Sequence, residues 1–356
     1  MKITAIDRNF QAVQAVEEGY CFIDVKQEPM CLEGLAWGDD YFRIPRSFTT
    51  SEINRGAKCL ANQTSGVCVR FRSDSPEIRL RAELRYGLDM NHMTRCGSCG
   101  FDCYRRLPGG KLLFNKSVQP DPKQKKVMTV AGVNPERKLC DWVIHFPLYG
   151  GVRQVSVGVQ EGASVLPPRP HRVENPVLFY GSSITQGGCA SRPGNMYPSL
   201  LGRRVDAPII DLGFSGSGKG EIAVARAIAE LELSAFVMDY DHNAPDAEHL
   251  RRTHEPFFLA IREKQPHLPV IMMSRCDFYG TPGELERREI IRTTWQHAVD
   301  NGDRCVYFID GETLFGGDGR DACTVDGCHP NDLGFYRMYR KILPVLQQAL
   351  AGQCRR

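Results

Sequence analysis

Two short segments, far apart in the chain, hold the residues best suited to covalent chemistry. Gly181-Ser182-Ser183-Ile184-Thr185 follows an apolar run, and Asp326-Gly327-Cys328-His329-Pro330 lies near the C-terminus. A serine hydroxyl is a poor nucleophile until a base takes its proton. An imidazole is such a base. A carboxylate three residues before it, as Asp326 stands before His329, reaches one ring nitrogen and fixes the tautomer, leaving the other nitrogen for Ser183. Together Ser183, His329 and Asp326 supply the parts for acyl transfer. Each segment alone has a plainer explanation. Ser182, Ser183 and Thr185 suit a helix cap, and Asp-x-x-His recurs by chance on surfaces.

Two further segments carry hydrogen-bond donors. Gly213-Phe214-Ser215-Gly216-Ser217-Gly218 is rich in the residue that lets backbone N–H groups approach a developing oxyanion. Asn243, in Asp239-Tyr240-Asp241-His242-Asn243, offers a side-chain amide. In isolation the first reads equally well as a flexible turn, and the second as a turn residue.

The elements that must position these groups differ between the two halves. In the first half Val67, Val69 and Phe71 alternate with polar positions. So do Ile78, Leu80, Ala82 and Leu84, then Trp142, Ile144, Phe146 and Leu148, then Val155, Val157 and Val159. This period of two predicts antiparallel strands in a β-sandwich, jelly-roll-like, over 1–165. The prolines of Ser164-Val165-Leu166-Pro167-Pro168-Arg169-Pro170 predict an extended connector, with a linker over 166–175. In the second half, over 176–356, five apolar runs read as buried strands: Val177–Tyr180, Pro208–Leu212, Ala235–Asp239, Pro269–Met273 and Cys305–Ile309. Helical patterns separate them: Val224, Ile228 and Leu231 share a face, and Glu284 to Val299 and Asp332 to Leu350 are further helices. A helix from near Asp246 contains Pro256, which should kink or divide it. Such alternation predicts a three-layer α/β unit around a parallel, flavodoxin-like sheet. Ligands in these folds lie at the carboxyl ends of the strands, where all four chemistry-bearing segments fall.

Taken together, the four segments resemble the SGNH (GDSL-type) hydrolase superfamily, whose blocks contribute Ser, Gly, Asn and His in that order. The resemblance implies Ser183 as nucleophile, Asp326 and His329 as the rest of a triad, and Ser183, Gly216 and Asn243 as oxyanion donors. One departure is that the usual block-one Asp before the nucleophile is Ser182 here, which touches loop support more than mechanism. The Gly-x-Ser-x-Gly elbow of α/β-hydrolases is absent, since Thr185 takes the last glycine position. Gly187-Gly188-Cys189-Ala190-Ser191-Arg192-Pro193-Gly194-Asn195 and Asp326–Pro330 look like a GDSL-like subgroup with an N-terminal β-domain carrying Gly-x-Asp-Leu-Tyr. This chain has Gly100-Phe101-Asp102-Cys103-Tyr104, with Cys for Leu. The similarity covers most of the chain. It implies a serine esterase for short-chain, acetyl-type esters, with an acylated carbohydrate as a plausible substrate and no metal or organic cofactor. Arg192, Asp241 and Arg275 fall near strand ends and are candidate readers of an alcohol. Tyr104 or Trp37 is a candidate face for a sugar ring, though core packing is the commoner fate of such aromatics.

Three rivals remain open at this level. Gly213-x-x-x-x-Gly218-Lys219 nearly spells a phosphate-binding loop, but Gly220 stands where a Ser or Thr should hold magnesium. Cys96-Gly97-Ser98-Cys99 with Cys103 suggests a metal or redox site, yet no second Cys pair completes it, so free thiols account for it better. A carbohydrate-binding module with a degenerate catalytic half is the third. The 356 residues, 42% hydrophobic with net charge +3, contain no long basic run, which argues against nucleic acid as a partner. The densest basic cluster, Lys123-Gln124-Lys125-Lys126, reads as a solvated loop. No run nears the ~20 apolar residues of a membrane span, and Met1 to Phe10 has no signal-peptide pattern. With fourteen cysteines in no framework spacing, the expectation is a cytoplasmic protein with reduced thiols.

Overall fold

The computed structural model describes residues 16–352 apart from Glu18, Asp39, Leu88, Asp89 and Pro122. The N-terminal segment Met1 to Phe10, on which the expectation about export rests, lies outside the described residues. No helix among the described residues is long and apolar enough to cross a membrane.

Among the described residues, eleven strands belong to the first half: β1 (Val16–Glu17), β2 (Tyr20–Asp24), β3 (Cys31–Glu33), β4 (Cys68–Ser73), β5 (Glu77–Leu84), β6 (Phe101–Arg106), β7 (Leu112–Val118), β8 (Lys126–Val133), β9 (Cys140–His145), β10 (Val152–Gln160) and β11 (Val165–Leu166). They make two antiparallel sheets, ordered β1-β2-β10-β5-β8 and β11-β4-β9-β6-β7, with β3 paired to β4. The alternating residues read from the sequence face each other between the sheets. Val69, Phe71, Ile78, Leu80, Trp142, Ile144, Val155 and Val157 are all buried in one cluster. Each such side chain contributes about 1.5–3 kcal/mol by leaving water. The proline-rich connector does not swing free. Its first residues form β11, and two arginines of β4 hold the next few: Arg72 Nε donates to Pro167 O at 2.8 Å and Arg70 Nη2 to Arg169 O at 2.7 Å.

The second half holds β12 (Val177–Gly181), β13 (Ile209–Gly213), β14 (Ala235–Asp239), β15 (Val270–Met273) and β16 (Val306–Ile309) in one sheet, ordered β13-β12-β14-β15-β16. All four pairings are parallel. In chain order this is 2-1-3-4-5, the flavodoxin-like arrangement, which places a topological switch point beside β12. Short helices α1 (Arg55–Leu60) and α2 (Arg95–Cys99) belong to the first half. α3 (Tyr197–Val205), α4 (Ile222–Ala229), α5 (Ala247–Lys264), α6 (Pro282–Asp300) and α7 (Asp332–Gly352) belong to the second. Leu178, Tyr180, Leu212 and Met238 pack on one face with α4, α5 and α6 residues such as Val224, Phe257 and Ile291. Val177, Phe179, Val237 and Ile271 pack on the other with Leu201 of α3 and Phe335 and Met338 of α7. Both faces are covered, so the strands read as continuous apolar runs. α5 runs through Pro256 without being divided.

A segment of the first half is built into the second. Phe42, Ile44, Phe48, Ile53 and Ala57 share a core cluster with Leu178, Leu212 and Phe236. Within it Arg43 is fully buried. Its guanidinium donates to the carbonyls of Asp211 at 2.8 Å, Gly213 at 3.0 Å, Gln63 at 2.8 Å and Leu60 at 3.1 Å. It also lies 3.5 Å from the Asp211 carboxylate. Burial brings its pKa down to about 10, against the pull of Asp211. A buried charge persists only when satisfied this fully.

Candidate active site

Ser183 sits in the turn that ends β12. The turn is tight because Gly181 has no side chain: a Cβ there would lie 2.4 Å from Asp239 O. Ser182 takes over local loop support, its hydroxyl accepting the Ile184 N–H at 3.1 Å. Thr185 and Tyr197 both donate to Asp239 Oδ2, at 3.0 and 2.9 Å, which anchors the turn to the end of β14. Burial raises the Asp239 carboxyl to about 6, the hydroxyl donors and His242 opposing the shift.

The hydroxyl of Ser183 lies 2.9 Å from Nε2 of His329, across 146 positions of sequence. Asp326 Oδ2 lies 2.7 Å from His329 Nδ1. Asp326 Oδ1 accepts the backbone N–H groups of Cys328 at 3.0 Å and His329 at 2.7 Å. Burial raises the Asp326 carboxyl, but the bonds from the His329 N–H, the imidazole and the Cys328 N–H outweigh it and hold the group at about 2. An ionised carboxylate only accepts, so Nδ1 of His329 carries the proton and Nε2 keeps a lone pair facing Ser183. Ser183 is 7% exposed, enough for access from one side.

The glycine-rich turn after β13 lies beside this centre. Ser215 N–H donates to Gln186 Oε1 at 2.9 Å, three residues beyond Ser183. Gly216 stands at the exposed tip with φ +65, a left-handed conformation that favours glycine, and nothing lies within 4 Å of a Cβ placed there. Asn243 Oδ1 accepts the Gly218 N–H at 3.1 Å. That contact assigns the oxygen end of the amide and leaves its NH2 end pointing elsewhere. Gly220 N–H donates to Tyr180 OH at 2.8 Å, and Ser217 and Gly218 N–H both donate to Phe214 O. The amides of Ser215, Ser217, Gly218 and Gly220 are thus committed to protein acceptors, unlike those of a phosphate loop.

The candidate substrate readers fall in salt-bridged positions. Arg192 donates to Tyr104 OH at 2.6 Å and Asp102 Oδ2 at 3.2 Å, while the two Asp102 oxygens accept Gly194 N–H at 3.1 and 3.0 Å. Tyr104 is only 4% exposed. The Gly-x-Asp-x-Tyr segment therefore grips the loop that follows Ser183, and Gly100 is required because a Cβ would lie 2.3 Å from Val118 O. Asp241 is buried and accepts the Arg275 N–H at 3.0 Å and Arg287 Nη1 at 3.2 Å. Arg275 forks onto Asp277 at 2.9 and 2.7 Å. Trp37 is half-buried against the core on the α4 side. Cys96, Cys99 and Cys103 are free thiols, the last two buried. Burial pushes Cys96 up to about 11 and Cys103 higher still, which disfavours the thiolate a metal needs.

Several contributors escaped sequence reasoning. Gln186 links both halves, its amide bonding Gln63 and also Leu148 O at 3.2 Å. His92, from the first half, stands with its ring centre 6.0 Å from that of His329. Its loop is held by Thr94, whose hydroxyl donates to Ser191 O, and by Met93, which is buried with Ala190. A polar residue three positions after the nucleophile was a legible signal for Gln186. His92 had none, because its neighbour in space lies 237 positions away.

Comparisons with known proteins bear on the family and the fold. Residues 174–347 match the GDSL-like lipase/acylhydrolase family, and residues 20–165 match the N-terminal region of SGNH-hydrolase-type esterases that is named for its Gly-x-Asp-Leu-Tyr motif. None of the curated proteins matches the sequence. Among solved structures, a protein from Bacteroides ovatus described as a GDSL-like lipase is 26% identical, with TM-score 0.83 over 93% of this chain and 98% of that one. A salicylyl-acyltransferase from a tetracycline biosynthetic pathway is 17% identical, with TM-score 0.76 over 94% of this chain and 100% of its own. A family two carbohydrate esterase from Clostridium thermocellum, in complex with cellohexaose, is 14% identical, with TM-score 0.61 over 81% and 94%. The last two share the fold. The parallel sheet, the antiparallel region ahead of it and both family matches lead to one conclusion: the chain belongs to the SGNH (GDSL-type) carboxylic ester hydrolases, in the group with the Gly-x-Asp-Leu-Tyr N-terminal region.

Proposed function

We propose that the protein hydrolyses short-chain esters, acetyl esters of carbohydrate alcohols in particular, through an acyl-enzyme on Ser183. The observation that carries this reading is the unbroken relay from Asp326 through His329 to Ser183, with contacts of 2.7 and 2.9 Å. His329 Nε2 takes the Ser183 proton as Oγ bonds to the ester carbonyl carbon, and Asp326 stabilises the imidazolium that forms. The carbonyl oxygen becomes an oxyanion, held by the N–H groups of Ser183 and Gly216 and by the Asn243 amide. The oriented amide of Asn243 and the left-handed turn at Gly216 support these roles. The tetrahedral adduct then expels the alcohol, which receives the proton from His329. Water enters, gives its proton to Nε2, attacks the acyl carbon, and releases the acid and the free serine. These steps need only groups of the chain itself.

Tyr104, Arg192, Asp241 and Arg275 act in this reading by holding loops in place, since each has a protein partner. His92 stands beside His329, the group that would protonate the leaving alcohol, and in this reading it brings the first half to the alcohol site. The carbohydrate part of the reading draws on the family and on the carbohydrate esterase among the solved relatives.

A fluorophosphonate should label wild-type protein at Ser183, and Ser183→Ala should abolish labelling with an unchanged circular dichroism spectrum. Labelling at a different serine would redirect the assignment. A panel of acetylated sugars against longer acyl chains tests the substrate class, and preference for long acyl chains would overturn it.

A further inference from the structure

We infer that Asp277 is a positioning residue that locks the loop of Asn243 to the loop of His329, so that the oxyanion donor and the base are set by one carboxylate. This rests on the roles just proposed for Asn243 and His329.

Asp277 lies in the loop after β15, its side chain 3% exposed. Its Oδ1 accepts His242 Nε2 at 2.7 Å and Arg275 Nε at 2.9 Å, and its Oδ2 accepts Arg275 Nη2 at 2.7 Å. His242 immediately precedes Asn243. The thiol of Cys328, which immediately precedes His329, faces the same carboxylate from within 4.8 Å. The ligating atoms of His242, Asp277 and Cys328 all lie within 4.8 Å of one another. One acidic group thus bonds the residue before the proposed oxyanion donor and lies beside the residue before the proposed base. The loop itself is pinned at each end. Arg275 N–H donates to Asp241 Oδ2 at 3.0 Å, in the turn that carries Asn243. Tyr279 OH donates to Gly327 O at 3.2 Å, in the loop that carries His329. Glu284 then accepts the N–H groups of Tyr279 at 3.0 Å and Thr281 at 2.9 Å, within the capping box that starts α6.

The charges fit a brace. Burial lowers the affinity of His242 for its proton, but Asp277 and Asp241 reverse the effect and raise its pKa. His242 and Arg275 in turn hold Asp277 far below the usual carboxylate range despite burial. A buried carboxylate bonded to both an imidazole nitrogen and a guanidinium is tied to that arrangement, because losing either contact leaves the buried charge underpaired. His, Asp and Cys are also zinc ligands. Here, however, Arg275 occupies both carboxylate oxygens, and burial with the nearby Asp277 charge pushes the Cys328 thiol up to about 12. The group is closed by protons and a guanidinium, an arrangement that opposes a metal cation.

The test is Asp277→Asn, which keeps the shape and removes the charge. Misplacing a catalytic group by about 1 Å costs up to about 100-fold. We expect kcat on a chromogenic acetyl ester to fall about 10- to 100-fold with KM within about twofold, and thermal unfolding to remain cooperative. Combined with Asn243→Ala, the losses should be strongly sub-multiplicative, since both changes disable the same donor. His242→Leu, which leaves the Asp277–Arg275 pair intact, should reproduce the kcat loss and serves if Asp277→Asn fails to fold. A kcat within twofold of wild type in either folded variant overturns the inference, and so do losses that simply multiply with Asn243→Ala. One equivalent of zinc in purified wild type, lost in Asp277→Asn, would replace the brace with a metal centre. Fluorophosphonate labelling of wild type at Ser183 separates this test from that of the parent reading: without it the function falls, whereas normal labelling beside an unaffected Asp277→Asn sinks only the brace.

Discussion

Replacing Asp326 by Asn tests the relay most sharply, because the local hydrogen bonds dictate how the new amide must sit. In the native site Oδ1 accepts two backbone N–H groups, from Cys328 at 3.0 Å and His329 at 2.7 Å, while Oδ2 faces His329 Nδ1 at 2.7 Å. An asparagine has one acceptor end and one donor end. Its oxygen must take the Oδ1 position, since the reverse would point an NH2 group at two N–H donors. The NH2 group then faces Nδ1 and forces Nδ1 to accept. The imidazole proton moves to Nε2, and the lone pair that should receive the Ser183 proton is gone. Inverting the tautomer in this way costs about 10⁴ in turnover in a comparable triad, or about 5.4 kcal/mol of barrier at about 1.36 kcal/mol per decade. Asp326 is 39% exposed at the side chain, so the fold should tolerate the change. The assay is steady-state hydrolysis of a chromogenic acetyl ester, with thermal unfolding as control. A folded Asp326→Asn within about tenfold of wild type would show that the carboxylate does not set the tautomer, and the proposed chemistry would need another base.

Asn243→Ala removes one oxyanion donor and should lower kcat about 10²–10³-fold, read in the same assay; an unchanged kcat removes Asn243 from the site. Asp102→Ala leaves Arg192 and the Gly194 N–H without their buried acceptor and should cost about 3–5 kcal/mol of stability, read as a lower urea midpoint; an unmoved midpoint refutes the clamp. His92→Ala should raise KM for acetylated sugars about fivefold, the worth of one hydrogen bond of about 1 kcal/mol, and leave the rate of fluorophosphonate labelling alone; equal effects on both would place His92 outside the alcohol side.

Much of this arrangement was legible in the residues. Val177–Tyr180 and Ala235–Asp239 are apolar on both faces because helices cover both sides of the sheet, and that composition marks a parallel strand without any partner in view. Ser183, Gly216 and Asn243 could be singled out as candidates because each lies in a polar or glycine-bearing turn just after such a strand, and His329 because it lies in the last loop before α7. The destinations of Arg192, Asp241, Arg275 and Tyr104 were not. A sequence displays a charge but not its partner, and Arg192 pairs with Asp102 from 90 positions away. Pro256 was expected to kink or divide its helix, yet α5 continues through it as one element. Phe257 and Phe258 beside it are buried in the core, and such packing holds a helix together against a weak backbone position. The placement of Phe42 to Ala57 in the core of the second half left no trace in periodicity, since irregular segments and the single short helix α1 bury isolated residues without a repeat.

The guanidinium of Arg43, seated on the carbonyls that end β13, has an evolutionary corollary. A recombination event that exchanged the C-terminal half of this chain for that of a distant relative would have to bring along a matching arginine, or a substitute for its carbonyl contacts, from a stretch more than 150 residues upstream. Exchanging either half alone would leave a buried guanidinium or the carbonyls it caps without a partner, so changes at this seam are expected to occur on both sides together.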